Sequence, residues 1–162
     1  MKKKSITNPT VSSQYSSLTT YQAGVLQSMV HRSLQKYTDL LLKPYGITKT
    51  HWLIIGTVLD SGDKGIRVSD LANKIDTTMA YLTNTINLLE SKKILVRTLN
   101  GADNRAKFVT VHGDFIPKCD EIEATVRKGL RKLVYSNIEV DDFQIYMTVL
   151  QQLSVIDQLT LK

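Results

Sequence analysis

Between Leu18 and Leu42 the apolar positions fall at Tyr21, Val25, Leu26, Met29, Val30, Leu34, Tyr37, Leu40 and Leu41. Steps of three and four residues keep them on one side of a helix. A long amphipathic helix is therefore predicted, capped by Thr19 or Thr20 and stopped by Pro44 and Gly46. Thr48 to Leu59 reads as a second helix, with Trp52, Ile55, Val58 and Leu59 inward. Ser61-Gly62-Asp63-Lys64-Gly65 ends it as a loop. Ile66 to Val68 is a short extended piece, placed to pair with later strands.

The stretch Val68–Val111 changes character. Ser69–Ile75 is a short helix with Ser69 as its N-cap and Leu71, Ala72 and Ile75 inward. Asp76-Thr77-Thr78 makes a polar turn. Met79–Lys92 is the next helix, with Leu82, Ile86 and Leu89 inward and Ala80 expected at a helix crossing. Its opposite face holds Thr77, Thr78, Tyr81, Asn84 and Asn87: hydroxyls, carboxamides and a phenol, but no acid. Ile94–Leu99 and Lys107–Val111 are rich in β-branched and aromatic residues, as strands are. Asn100 to Arg105 joins them as a projecting loop that opens with the hairpin signal Asn-Gly. Two helices, a turn and a hairpin make a winged helix-turn-helix, so the fold class is mainly α (α+β).

Asp114–Tyr135 is a long helix lined by Ile122, Val126, Leu130, Leu133 and Val134. Pro117 fits only its first turn, which puts the start near Phe115 or Ile116. Val140–Leu161 is the last helix, with Asp141 and Asp142 at its positive end. Its stripe is Phe143, Tyr146, Met147, Leu150, Leu153 and Ile156. Helices 18–42, 115–135 and 140–161 carry more apolar surface than one small winged lobe can cover. They are expected to pack across a two-fold axis against a second copy. The organisation is then a flexible Lys/Ser/Thr-rich arm at 1–17, a dimerisation region from 18–43 and 113–162, and a DNA-binding lobe at 46–111.

Charge sharpens this picture. The 162 residues carry a formal charge of +6. Residues 64–107 hold eight Lys and Arg against four Asp and Glu, while residues from 113 onward hold six against eight. The positive excess thus sits in the winged segment and in Lys2–Lys4, which suits an anionic partner. The single cysteine, Cys119, has no intrachain partner, and a reducing compartment is expected. Acids Asp120 and Glu121 beside it would raise its pKa, which argues against a redox sensor. No stretch approaches the roughly 20 apolar residues of a membrane span, and no apolar run follows the basic start, so a cytoplasmic protein is expected. His31, His51 and His112 are dispersed, without metal-ligand spacing. No Gly-rich phosphate loop or nucleophile elbow is present. Neither an enzyme nor a bound cofactor or metal is expected.

Residues 20–160 resemble the MarR family of winged-helix transcription regulators. The resemblance rests on Tyr45-Gly46-Ile47-Thr48…Trp52, Leu71-Ala72…Ile75 and Leu89-Glu90…Ile94-Leu95…Arg97. Its most specific piece is Asp103-Asn104-Arg105-Ala106, where the family carries Asp-x-Arg. Two positions depart. Lys93 stands where the family has a Gly that eases a left-handed helix exit. Val111-His112-Gly113-Asp114-Phe115 replaces the family's Leu-Thr-x-x-Gly.

The resemblance implies a homodimeric regulator, foremost a repressor, on a pseudo-palindromic operator. It also implies that Arg105 enters the minor groove. Asp103 is expected to pair with Arg105 or Arg97. The remaining DNA-contact candidates are Ser69, Lys74, Thr77, Thr78, Met79, Tyr81, Thr83, Asn84 and Lys107. The second motif helix lacks arginine, the commonest guanine reader, so an A·T-rich operator is expected. A small aromatic or other effector is implied, with Tyr37, Tyr45, His51 and Trp52 as candidate contacts; the same four residues suit core packing. The alternative is a winged-helix protein-interaction module without DNA binding.

Overall fold

The computed structural model describes residues 18–100 and 103–155, with side chains for all of these except 99, 100 and 103–107. The expected arm at 1–17, and the residues from Ile156 to which the last helix is expected to continue, lie outside the described residues. Helix α1 spans Thr20–Leu42. Thr19 opens it with a reciprocal cap: its hydroxyl accepts from the Gln22 amide at 3.2 Å, and the Gln22 side chain accepts from the Thr19 amide at 2.9 Å. A short 3-10 turn, Lys43–Tyr45, ends at Gly46, whose φ of 67° is the left-handed conformation.

Helix α2 (Lys49–Leu59) is capped by Thr48, with His51 in the third position closing the reciprocal pair. It buries Ile54, Ile55 and Val58. Trp52 and Leu59, expected inward, are only half-buried. Strand β1 (Ile66–Arg67) leads directly into α3 (Val68–Lys74), followed by α4 (Met79–Ser91). Strands β2 (Leu95–Asn100) and β3 (Asp103–Val111) form the hairpin. The sheet order is β1-β3-β2, antiparallel throughout, with Ile66 opposite Val109 and Leu95 opposite Val111. Gly65, at φ 66°, enters β1 so close to β3 that a Cβ would lie 2.4 Å from the Val109 carbonyl oxygen.

A 3-10 turn at Gly113–Phe115 leads into α5 (Ile116–Leu133), with Pro117 in its first turn as expected. Helix α6 spans Val140–Leu153. The core gathers Leu42, Ile47, Ile54, Ile55, Leu71, Leu82, Ile86, Leu89, Val109 and Ile122 from both the lobe and the arm helices. Gly129 of α5 meets Leu41 of α1 so closely that a Cβ would lie 2.4 Å from the leucine methyl. Gly129 is thus the small residue at a helix crossing. Ala80, expected in such a role, is exposed, because the α4 turn that faces the core uses Leu82, Thr85 and Ile86 instead.

The hairpin also differs from expectation. The ladder runs on to Asn100 opposite Asp103, with a register shift between Leu99 and Asn100. The six-residue loop expected from Asn100 to Arg105 is therefore mostly strand, and only residues 101 and 102 lie between β2 and β3.

Candidate nucleic-acid interface

Helix α4 is fixed at its start by Thr78, whose hydroxyl accepts from the Tyr81 amide at 3.3 Å. Asp76, at φ 50°, makes the preceding turn, a conformation that Asp tolerates better than most residues. Leu82, Ile86 and Leu89 are fully buried. Thr85 is buried beside them, and its hydroxyl satisfies itself on the Tyr81 carbonyl at 2.9 Å. The other side of the helix faces outward: Thr78, Met79, Tyr81, Thr83, Asn84 and Asn87 are exposed, and Thr77 is half-buried. The polar face that the sequence grouped is one surface.

Helix α3 presents Lys74 at its end, exposed. Ser69 does not cap it. The helix begins one residue earlier, at Val68, because the extended Arg67 that ends β1 serves as its N-cap. Ser69 lies exposed in the first turn and its hydroxyl donates to Asp70 Oδ1 at 3.3 Å. Asp103, Arg105 and Lys107 belong to β3, but their side chains lie outside the described part of the structure.

Two ties set the hairpin against α4, and neither has a helical or strand spacing that would reveal it. The Arg97 amide donates to Glu90 Oε1 at 2.9 Å. Its guanidinium pairs with Glu90 Oε2 and donates to the Thr83 carbonyl at 3.3 Å. Arg97, one of the two expected partners of Asp103, is thus tied to the helix. Nearby, Arg67 lies 5.6 Å over the Phe108 ring, adding a cation beside the hairpin. The helix exit keeps the geometry that glycine usually serves. Lys93 has φ 56°, its amide donates to Glu90 at 2.9 Å, and the Ile94 amide donates to Leu89 at 2.9 Å. These two bonds are the Schellman pair.

The four ligand candidates sit on α1 (Tyr37), on the turn after it (Tyr45) and on α2 (His51 and Trp52). Tyr37 is half-buried on α1, with Lys36 Nζ 5.8 Å from its ring. The Tyr45 hydroxyl donates to Glu121 Oε1 at 3.1 Å and lies 3.0 Å from the Thr125 hydroxyl, tying the turn to α5. His51 closes the α2 cap through Nδ1, which accepts from the Thr48 amide at 3.3 Å. Burial pushes its pKa down, Lys92 adds to that, and Asp39 opposes it. Trp52 packs against the core. None of the four lines the open cleft of about 470 Å³ beside them, which is bounded by Lys36, Asp39, Leu40, Lys43, Gly46, Ile47 and Thr48. Cys119 is 1% exposed. Its thiol is pushed up by burial and then by Asp120, which leaves little thiolate for redox chemistry.

No family model matches the chain. Solved structures do. A MarR-family transcriptional regulator from a Rhodococcus species superposes with a TM-score of 0.76 at 17% identity, covering 85% of this chain and 95% of that one. CouR from Rhodococcus jostii, bound to p-coumaroyl-CoA, gives a TM-score of 0.73 at 18% identity over 83% and 92%. A cysteine-to-serine mutant of MarR from E. coli, complexed with operator DNA, gives 0.71 at 20% identity over 80% and 91%. The order of helices, the three-stranded antiparallel sheet and these superpositions agree: the chain has the winged-helix fold of the MarR regulators.

Proposed function

We propose that this protein is a homodimeric, sequence-specific regulator of transcription that binds duplex DNA and acts foremost as a repressor. The observation that carries the reading is the outward face of α4. It is polar and exposed, it holds no acid from Thr77 to Leu89, and it stands beside a hairpin that carries Arg97, Arg105 and Lys107 against the single acid Asp103. A helix of this kind fits the major groove, and a basic wing fits the adjoining backbone and minor groove. The solved relative with operator DNA supports the same use of the fold.

Dimerisation is supported by surface that one chain leaves uncovered. Helix α6 is 14 residues long and buries none of them. Ile145 is 62% exposed on it, and Tyr21 is 77% exposed on α1. Contiguous apolar helix faces of this extent mark an interface. A palindromic site requires that such a two-fold pairing set the two α4 helices on one side of the dimer. Release by a small-molecule effector is supported by the solved relative bound to a CoA ester. The 470 Å³ cleft, with Lys36 and Lys43 on its rim, is the place we assign to such a molecule.

The test is anisotropy of the purified protein on duplex DNA from its own upstream region, across a salt series. Binding by two subunits, with log K falling steeply in log salt, is the expected result. Arg105→Ala should weaken binding while the dimer persists on a sizing column. Weak binding with no preference over unrelated duplexes, in both this assay and selection from random DNA, would instead favour a winged-helix module for a protein partner.

A further inference from the structure

The geometry points to a specific reading frame on α4: Ala80, Asn84 and Asn87 face the base edges, and the two carboxamides read adjacent adenines. This rests on the DNA-binding reading above and adds which residues read which bases. The core side of α4 is Leu82, Thr85, Ile86 and Leu89. Two residues along a helix are about 200° around it. Asn84 stands two residues from both Leu82 and Ile86, and Asn87 stands two from both Thr85 and Leu89. Ala80 stands two before Leu82. These three therefore point straight away from the core, and all are exposed. Met79, Tyr81 and Thr83 lie on the flanks of that line, where a groove-bound helix meets sugar and phosphate.

The hydrogen-bonding capacity agrees with the position. Along α4 most other polar groups are engaged. The Thr78 hydroxyl accepts from the Tyr81 amide, the Thr85 hydroxyl donates to the Tyr81 carbonyl, and the Ser91 hydroxyl donates to the Leu88 carbonyl at 2.7 Å. Among the described residues the Asn84 and Asn87 carboxamides have no partner. A carboxamide presents a donor and an acceptor side by side, which matches adenine N7 and N6. Three residues of helix advance about 4.5 Å, close to one base step of about 3.4 Å. Asn84 and Asn87 can therefore engage neighbouring bases. Ala80, one turn earlier, supplies a methyl, and a small apolar side chain there suits a thymine methyl. The occupant this face selects is thus a run of A·T pairs read directly, with shape as a further contribution.

The experiment is selection from random duplex DNA with the wild-type protein, Asn84→Ala and Asn87→Ala, each checked for unchanged melting. Both substitutions are on exposed helix positions, so the variants should fold. Wild type should enrich half-sites with two adjacent adenines. Each variant should lose discrimination at one of the two positions, a different one for each, by about 5- to 150-fold. Uracil in place of the neighbouring thymine should weaken wild-type binding about fourfold, the worth of one buried methyl. If both variants keep the wild-type preferences undiminished, the reading frame is wrong. If wild type enriches no sequence at all, the DNA-binding reading itself falls, and this inference with it.

Discussion

Lys93 offers a test of the helix exit that separates backbone conformation from side-chain charge. The left-handed conformation costs a residue with a Cβ about 1–2 kcal/mol. Lys93 bears that cost at φ 56° because the two Schellman bonds, and the burial of Leu89 and Ile94 on either side of it, hold the exit in place. The Lys93 side chain is exposed. Replacing it by glycine removes the steric cost but adds unfolded-state freedom worth about 0.5–1 kcal/mol. The net expectation for Lys93→Gly is a gain of about 0.5–1 kcal/mol. For a chain of this size that raises Tm by roughly 1–4 °C. Lys93→Ala removes the same charge and keeps the Cβ, so it should leave stability near the wild-type value. The assay is thermal and urea unfolding of the three proteins at one fixed concentration, since assembly makes stability concentration-dependent. A glycine variant no more stable than the alanine variant would refute the strained exit.

Other expectations follow from the same geometry. Arg97→Ala should cost about 1–2 kcal/mol, since the Glu90 pair is about a quarter exposed and partly screened, and it should loosen the hairpin from α4, read as faster amide exchange in β2. Gly65→Ala should be among the most damaging single changes, at roughly 2–5 kcal/mol, because a Cβ strikes the Val109 backbone and the φ is left-handed; chemical denaturation measures it. The His51 imidazole is held below its ordinary pKa of 6.5, chiefly by burial. The unfolded chain therefore takes up the proton first, so this contribution is full above pH 6.5 and declines as pH falls through the lowered folded value. His51→Gln keeps the reciprocal cap with Thr48 and should flatten that decline in urea titrations between pH 7 and 5.

Much of this fold was written in periodicity. Thr19, one of the two residues expected to cap α1, does so, whereas Thr48, expected as the start of a helix, and Thr78, expected as part of a turn, are caps as well. Pro117 placed the start of α5 because its ring tolerates only a first turn. The errors have a common cause, which is that sequence spacing reports faces and not neighbours. Ser69 looked like a cap, but the preceding strand made Arg67 the last extended residue. Ala80 and Gly129 are both small, and only packing tells which one another helix approaches. Asn-Gly marked the hairpin correctly but not how far the ladder would climb. For the interface, the exposed face of α4 was legible from its stripe. The tie from Arg97 to Glu90 and Thr83 was not, because it joins a strand to a helix across a turn. Of the aromatic quartet, Tyr45 and Trp52 pack against the core, the other use their sequence pattern allowed, and His51 serves the α2 cap.

The Lys92 ammonium donates to the Gly46 carbonyl at 2.7 Å, which pins the inner end of the 13-residue α4 to the turn after α1. That makes α4 a lever with its fulcrum at one end. Its length is about 20 Å, so a tilt of about 10° at the pin carries the Met79 end through about 3.4 Å. That travel is close to one step of the base ladder, about 3.4 Å. Because Leu82, Ile86 and Leu89 are buried along that length, a tilt of this size comes only with a movement of the core they pack in.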